Sequence, residues 1–467
     1  MSVAVPPSRR RYPRDPIPGR SWKFMLEGPT SKDILYHISA VQKHCGKPVD
    51  MDGVIRWLTA STRPGLPINA VAFDSAQDLL LLVHYNEISD PDPGEGVTVY
   101  PVRLSDPFAA GYSKAHPKAR EAAILMRWEE SDNWVDEHGN YIMVDIEVCG
   151  KLYALRTQNT GNNRVAIFNW QTGKPVARID GHELLTDACA VHARWHPPGL
   201  GHPHEVEGFT WLAPDTFMIT NSHGYMHCEA AQHDGLWIYR IDSRSREPLY
   251  RSIALELPRW MWNVRRNNET PMMCRAIFSP DSGSWSEDVF PGALSGNVRN
   301  RIVVVRESSW HFKYSLVYIF RNDALLGLLE RHNGQTLPYE QWLSRCSRVL
   351  EIRGSVERIW VCGWAALLKY KDEQERLCLE IVNFNPEAQR THMATGVLVT
   401  QPSEVAIPRR PDGSWLPFFD GIKSELPYFS TRLESTHGIG PKTDFMMFPD
   451  RVLYSNDSWA SAMAFYF

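Results

Sequence analysis

The sequence has no C-x-x-C pair anywhere: its eight cysteines (Cys45, Cys149, Cys189, Cys228, Cys274, Cys346, Cys362 and Cys378) stand singly along 467 residues. That spacing argues against zinc ribbons and thioredoxin-like chemistry, and single cysteines inside apolar strings such as RIWVCGWAAL behave as small buried hydrophobes, which points to a reducing compartment. Long apolar runs are also missing. The strongest stretches, 79–83 and 359–368, fall far short of the ~20 residues of a membrane helix, so no membrane partner is expected. The opening MSVAVPPSRRRYPRDPIPGR lacks the apolar core of ~7–15 residues that a secretory signal carries. The expected location is therefore the cytoplasm, with the nucleus as a second destination if the arginines act in import. Nor does charge of one sign dominate. Lys+Arg 50 against Asp+Glu 54 leaves a net charge of -4, which gives no general drive towards nucleic acid.

Motifs of common chemistries are absent as well. The nearest string to a G-x-S-x-G elbow, GALSG at 292–296, has its serine one position late. In GIGPKT at 438–443 the spacing of a phosphate loop fails, and Pro441, which has no N–H to offer a phosphate, precedes Lys442. No G-x-G-x-x-G follows a strand. The acidic stretch EESDNWVDEHGN reads as a solvated loop. No catalytic residue, cofactor or metal ion is assigned from motifs.

What is present is aromatic and turn-rich. The chain has 17 Trp, 17 Tyr and 18 Phe, which suit half-buried strands, and 30 Gly and 33 Pro, which supply turns. Residues 1–30 read as a disordered basic, proline-rich tail, and 31–65 as a short helical segment with Ile34, Leu35, Ile38 and Val41 at helical spacing. From 66 to 467 a unit recurs: an apolar run, a turn, a second run, a variable loop and an alternating run. The clearest copies are YIMVDIEV–KLYALRTQN–RVAIFNWQTGKPVARIDG and GFTWLAP–TFMITNS–GLWIYRIDS–YRSIALELP. With starts near Ala70, Tyr141, Glu207, Cys274, Ile359 and Glu425, the spacing is about 67 residues, wider once, where Asn322-Asp323 and ALLGLLERH predict a capped helix inserted into the fourth unit. The expected fold class is all-β: a single β-propeller of about six, or seven, irregular blades with a short helical N-terminal segment. ASAMAFYF and WKFMLEG are the candidates to close the ring. A pair of β-sandwiches is the alternative.

The string RVAIFNWQTGKPVARIDGH resembles a degenerate WD-type blade, with Asn169-Trp170 where Trp-Asp would stand and Gly181-His182 after it. AFDSAQDLLLLVHYN, FTWLAPDTFMIT, GLWIYRID, SIALELP, LEIVNFNPEA and DFMMFPDRVL resemble, in that order, the C-terminal region of mushroom-type fungal F-box proteins, over 68–454. An F-box of the form L-P-x-E-I-L with a later C-R-x-W-R is not found; DILYHISAV is the nearest helix. The resemblance implies a non-enzymatic protein–protein interaction module, like the substrate-recognition part of those proteins, with an unknown protein partner and no binding to the ubiquitin-ligase adaptor.

Two clusters carry candidate contacts. Arg259, Trp260, Trp262, Arg265 and Arg266 combine the residue types enriched at binding hot spots, and are the partner-binding candidates. The second cluster is rich in histidine: His192, His196, His202, His204, His223, His227, Cys228 and His233. Prolines 197, 198 and 203 break any helix there, so these residues read as polar loops. The alternative function is a propeller-fold hydrolase or metal-dependent enzyme using these loops, 192–233.

Overall fold

The computed structural model describes residues 70–74, 77–84, 96–103, 115–127, 143–158, 164–180, 204–223, 235–242, 249–258, 273–278, 301–309, 314–386, 396–405, 422–432, 444–447, 451–455 and 463–466. The expected tail and helical segment of 1–65 lie outside them.

Among the described residues the chain is almost wholly β, built as successive antiparallel sheets. The first sheet holds β1 (Ala70–Asp74), β2 (Leu79–His84), β3 (Gly96–Arg103) and β4 (Ile124–Arg127) in that order. The second holds β5 (Met143–Cys149), β6 (Leu152–Gln158), β7 (Arg164–Asn169) and β8 (Lys174–Asp180). The third holds β9 (His204–Ala213), β10 (Thr216–His223), β11 (Gly235–Ile241) and β12 (Leu249–Glu256). In the fourth, β13 (Met273–Phe278), β14 (Ile302–Ser309) and β15 (Tyr314–Arg321) are followed by helix α1 (Asn322–Arg331), β16 (Gln335–Leu337) and helix α2 (Tyr339–Cys346) before β17 (Ser347–Arg353) completes it. Strand β16 leaves that sheet and runs parallel to β12 at the edge of the third.

The fifth sheet contains β18 (Ser355–Cys362), β19 (Ala365–Lys371), β20 (Leu377–Asn383) and β21 (Val397–Val399). A ribbon of β22 (Ser403–Val405) and β23 (Ile422–Ser424) intervenes, and then β24 (Tyr428–Arg432) enters the fifth sheet between β20 and β21. The sixth sheet is β25 (Asp444–Met447), β26 (Arg451–Ser455) and β27 (Met463–Tyr466).

The first strands follow one another in space: β1 lies against β5, β5 against β9, β9 against β13, β13 against β18 and β18 against β25. The apolar core is correspondingly divided into layers between neighbouring sheets. Leu81, Val99, Ile146 and Trp170 join the first and second sheets. Ile167, Trp211, Phe217 and Tyr239 join the second and third. Leu236, Val305, Phe320 and Trp342 join the third and fourth, and Val304, Ile319, Leu368 and Phe384 the fourth and fifth. This layering explains the runs in the sequence. A middle strand covered on both faces, such as LLLLVH in β2, is buried at every position and has no polar face to alternate with. Strand β3 still alternates, with Val97 and Val99 buried between partly exposed neighbours.

Three sequence expectations change here. The unit expected to start near Glu425 does not begin with ELPYFSTR: this string forms β24, which pairs with β20, because the chain leaves the fifth sheet for the ribbon and then returns to it. The inserted helix is present, but Arg321, not Asn322, is its cap residue, and no side chain caps it. Asn322 is turned inward instead: its Nδ2 donates to the Leu212 carbonyl of the third sheet at 2.7 Å. Its companion α2 was not foreseen; it buries Trp342, Leu343 and Cys346. ASAMAFYF supplies β27, which pairs with β26 from the same end of the chain, while WKFMLEG lies outside the described residues.

Candidate functional site

A groove of about 630 Å³ opens between the fourth and fifth sheets. One wall is β17, with Arg348, Glu351 and Arg353; the other is formed by β19, β20 and β24, with Tyr370, Glu380, Tyr428 and Arg432. The ribbon strand β22 contributes Ser403 and Glu404, and the turn 372–376 closes one end. Strand pairing sets the second wall. Tyr370 stands opposite Cys378 and Glu380 opposite Arg432, so the groove residues come from strands locked in one ladder.

Most of the charges are partnered. The Arg353 guanidinium meets Glu351 at 2.6 Å and Glu373 at 3.7 Å, joining the β17 wall to the closing turn. Arg376 pairs with Asp372 at 2.7 Å. The hydrogen bond from Arg376, assisted by backbone N–H groups, holds the Asp372 carboxyl below the usual carboxylate range. On the far wall Arg432 Nη2 donates to the Tyr370 hydroxyl at 3.1 Å, and that hydroxyl donates to Glu380 Oε2 at 3.1 Å. Ser430 donates to the other oxygen of Glu380 at 2.6 Å. Burial, reinforced by Glu380, pushes the Tyr370 phenol well above its ordinary value, so it stays protonated and keeps both bonds.

Arg348 differs. Its residue is 3 % exposed, and its guanidinium lies over the Tyr428 ring at 4.9 Å. Nη1 donates to the Gln401 carbonyl at 2.9 Å and more weakly to that of Leu426 at 3.4 Å, while Nε has no hydrogen-bond partner. Among the described residues no carboxylate forms an ion pair with it. Burial lowers its pKa from the ordinary arginine value, but an arginine remains a cation in proteins. The β17 wall of the groove therefore carries a cation held by carbonyl dipoles, the Tyr428 hydroxyl and an aromatic face.

A second gathering of charge lies where the first hairpins turn, with Asp74, Cys149, Asp215 and Arg301 supplied by four successive sheets or the segments beside them. Arg301 is 8 % exposed, and its Nε and Nη2 have no partner. Burial pushes the Cys149 thiol up to about 11, so it is no thiolate counter-charge.

The partner-binding candidates Arg259, Trp260, Trp262, Arg265 and Arg266 lie outside the described residues, as do His192, His196, His202, His227, Cys228 and His233. His204 and His223 do not lie in loops: they stand opposite each other in the β9–β10 ladder, because the strands extend past the turn-like sequence around them. No group of three or more metal-ligating side chains occurs among the described residues. The WD-like string forms the β7–β8 hairpin. Asn169 Oδ1 accepts from the N–H groups of Gln171 and Thr172, and Trp170, fully buried, donates to the Gly150 carbonyl at 2.9 Å. None of the groove residues stood out in the sequence. The available signal was charge within apolar strands, as in SRVLEIR and YFSTR.

No family model matches the chain, and no curated protein does. Solved structures to which it is similar include a prolyl endopeptidase, one of two studied for inter-domain dynamics in catalysis and specificity, at 9 % identity and a TM-score of 0.30 over 93 % of this chain and 58 % of that one. Another is prolyl oligopeptidase B from Galerina marginata, at 8 % identity and a TM-score of 0.32 over 91 % and 50 %. The chain thus spans between a half and three fifths of their length. These neighbours are peptidases and not F-box proteins, against the expectation of a non-enzymatic protein–protein interaction module, which is not carried further. At these TM-scores the likeness assigns the chain no activity.

Proposed function

We propose that the six sheets are blades of one β-propeller and that the chain binds a small ligand in the groove between its fourth and fifth blades. The propeller reading is supported by first strands that follow one another in space and by cores that lie between consecutive sheets, as radial repetition of a sheet requires. The likeness to the C-terminal region of fungal F-box proteins is kept as a proposal of shared architecture, supported by the order of the strand segments. It brings no ubiquitin-ligase role with it.

The binding reading is carried by Arg348, a buried cation with no carboxylate partner among the described residues, which lines a groove of about 630 Å³. An unpaired buried charge costs several kcal/mol, and an anionic group entering the groove offsets that cost. The volume lies within the ~300–1,000 Å³ of small-molecule sites.

A thermal-shift screen of the full chain against small organic acids and short peptides tests this. Stabilisation of the wild type that is lost in Arg348→Met is expected, since a ligand held only by the folded state raises its stability. Mass spectrometry of the same mixtures reads turnover: new peptide fragments would make the bound ligand a substrate and the chain a propeller-fold hydrolase, the alternative drawn from the sequence. A wild type that no acid or peptide stabilises at millimolar concentration ends the reading.

A further inference from the structure

We infer that the ligand of this groove is a zwitterion, an amino acid or short peptide whose free carboxylate meets Arg348 and whose free ammonium group meets Glu404. The inference rests on the binding reading above and adds the chemical class of the ligand.

Charges of both signs line the groove. They are four arginines and five carboxylates. Arg353 is taken by Glu351 and Glu373, and Arg376 by Asp372. Arg432 and Glu380 are bridged through the Tyr370 hydroxyl. Two groups of opposite sign are left: Arg348 on the β17 wall, and Glu404, which is exposed and makes no ion pair or side-chain hydrogen bond among the described residues. They lie on adjacent strands. Ser403, next to Glu404, donates its hydroxyl to the carbonyl of Val349, next to Arg348, at 3.2 Å. The Ser403 hydroxyl also meets that of Ser424 at 2.7 Å, and Ser424 accepts the Val349 N–H at 3.0 Å. These bonds tie the ribbon to β17, so the two unmatched charges are held on one scaffold.

Charge also decides against a phosphate. With carboxylates outnumbering arginines on the lining, a doubly charged anion meets net repulsion. A singly charged carboxylate accompanied by an ammonium group leaves the balance unchanged and satisfies both unmatched side chains. The planar guanidinium suits a planar carboxylate, and the compact ammonium group suits the solvated Glu404. A dipeptide or tripeptide fits the volume.

Isothermal titration calorimetry of the full chain with alanyl-alanine, its N-acetyl form, its C-terminal amide and inorganic phosphate tests the assignment. The free dipeptide should bind, and each blocked form should bind about tenfold more weakly or worse, the loss of one charge-assisted hydrogen bond. Glu404→Gln, an exposed substitution that spares the fold, should abolish the difference between free and N-acetylated dipeptide while keeping the penalty for the amide. Arg348→Met should remove the penalty for the amide; if that variant does not fold, Arg348→Lys should fold and bind the free dipeptide more weakly. Equal binding of the free and N-acetylated forms overturns the zwitterion and leaves the groove reading intact, as does phosphate binding tighter than the dipeptide. Dipeptide binding that neither Arg348 nor Glu404 variants alter overturns both. If no dipeptide form binds, the inference fails, and the organic-acid screen alone then decides the groove reading.

Discussion

His116 is 4 % exposed and stands edge-on to Trp170, with 5.0 Å between ring centroids. Its Nδ1 accepts the Lys118 N–H at 3.2 Å, which leaves Nε2 as the donor to the Gln77 carbonyl at 3.2 Å. A proton on Nδ1 would break the first bond, and burial already pulls the pKa below its ordinary value of 6.5. The unfolded chain then takes up the proton first. The stabilising contribution is complete above pH 6.5 and declines as pH falls below it, towards the lowered folded value. Melting followed by circular dichroism should show a lower Tm at pH 5.5 than at 7.5, and His116→Gln should reduce that difference. Cys149 offers a second check at this scale. With its thiol held near 11, it should remain unalkylated by iodoacetamide at pH 8 in the native protein and react after unfolding, as read by peptide mass spectrometry.

At the scale of elements, turns and insertions are held by single residues. Gly354 links β17 to β18 with φ +142°, and a Cβ there would stand 1.9 Å from the Lys371 carbonyl oxygen. Gly354→Ala should destabilise the chain by about 1–3 kcal/mol, measured by urea unfolding, because both the backbone conformation and the contact are closed to a side chain. Asn322→Ala removes the donor that the Leu212 carbonyl receives across the sheet boundary, and should cost about 1–3 kcal/mol by the same measurement. Strands are legible in the sequence where burial is two-sided, and short helices are not. Continuous runs such as LLLLVH and RIVVVRES announced strands because covering both faces demands apolar residues throughout. Helix α2 escaped because YEQWLSRC has only eight residues, with Trp342, Leu343 and Cys346 as its buried side. So short a segment shows little periodicity.

For the whole molecule, the distinguishing property is that the cores lie between sheets. Trp211 is fully buried in the layer shared by the second and third sheets, and its Nε1 donates to the Glu147 carbonyl at 3.4 Å. Trp211→Ala should cost about 3–5 kcal/mol and accelerate hydrogen exchange in β6 and β7 as well as in β9–β11. Exchange confined to the third sheet would show that the sheets are energetically separate. The candidate site belongs to this scale too, which is why it was hidden. Arg348, Tyr370, Glu380, Glu404 and Arg432 lie on five different strands, and each by itself reads as one outward-facing residue of an alternating strand.

Amino-acid order by itself determined the all-β class, most strand positions, the starts of the first five sheets to within a few residues and the helical insertion, because each follows from local periodicity and turn chemistry. Tertiary structure alone decided that β24 returns to the fifth sheet, that Asn322 faces another sheet instead of capping its helix, and that Arg348 is buried without a carboxylate. These outcomes depend on which distant segments stack against which, and the energy of burying or pairing a charge exists only once that stacking is made.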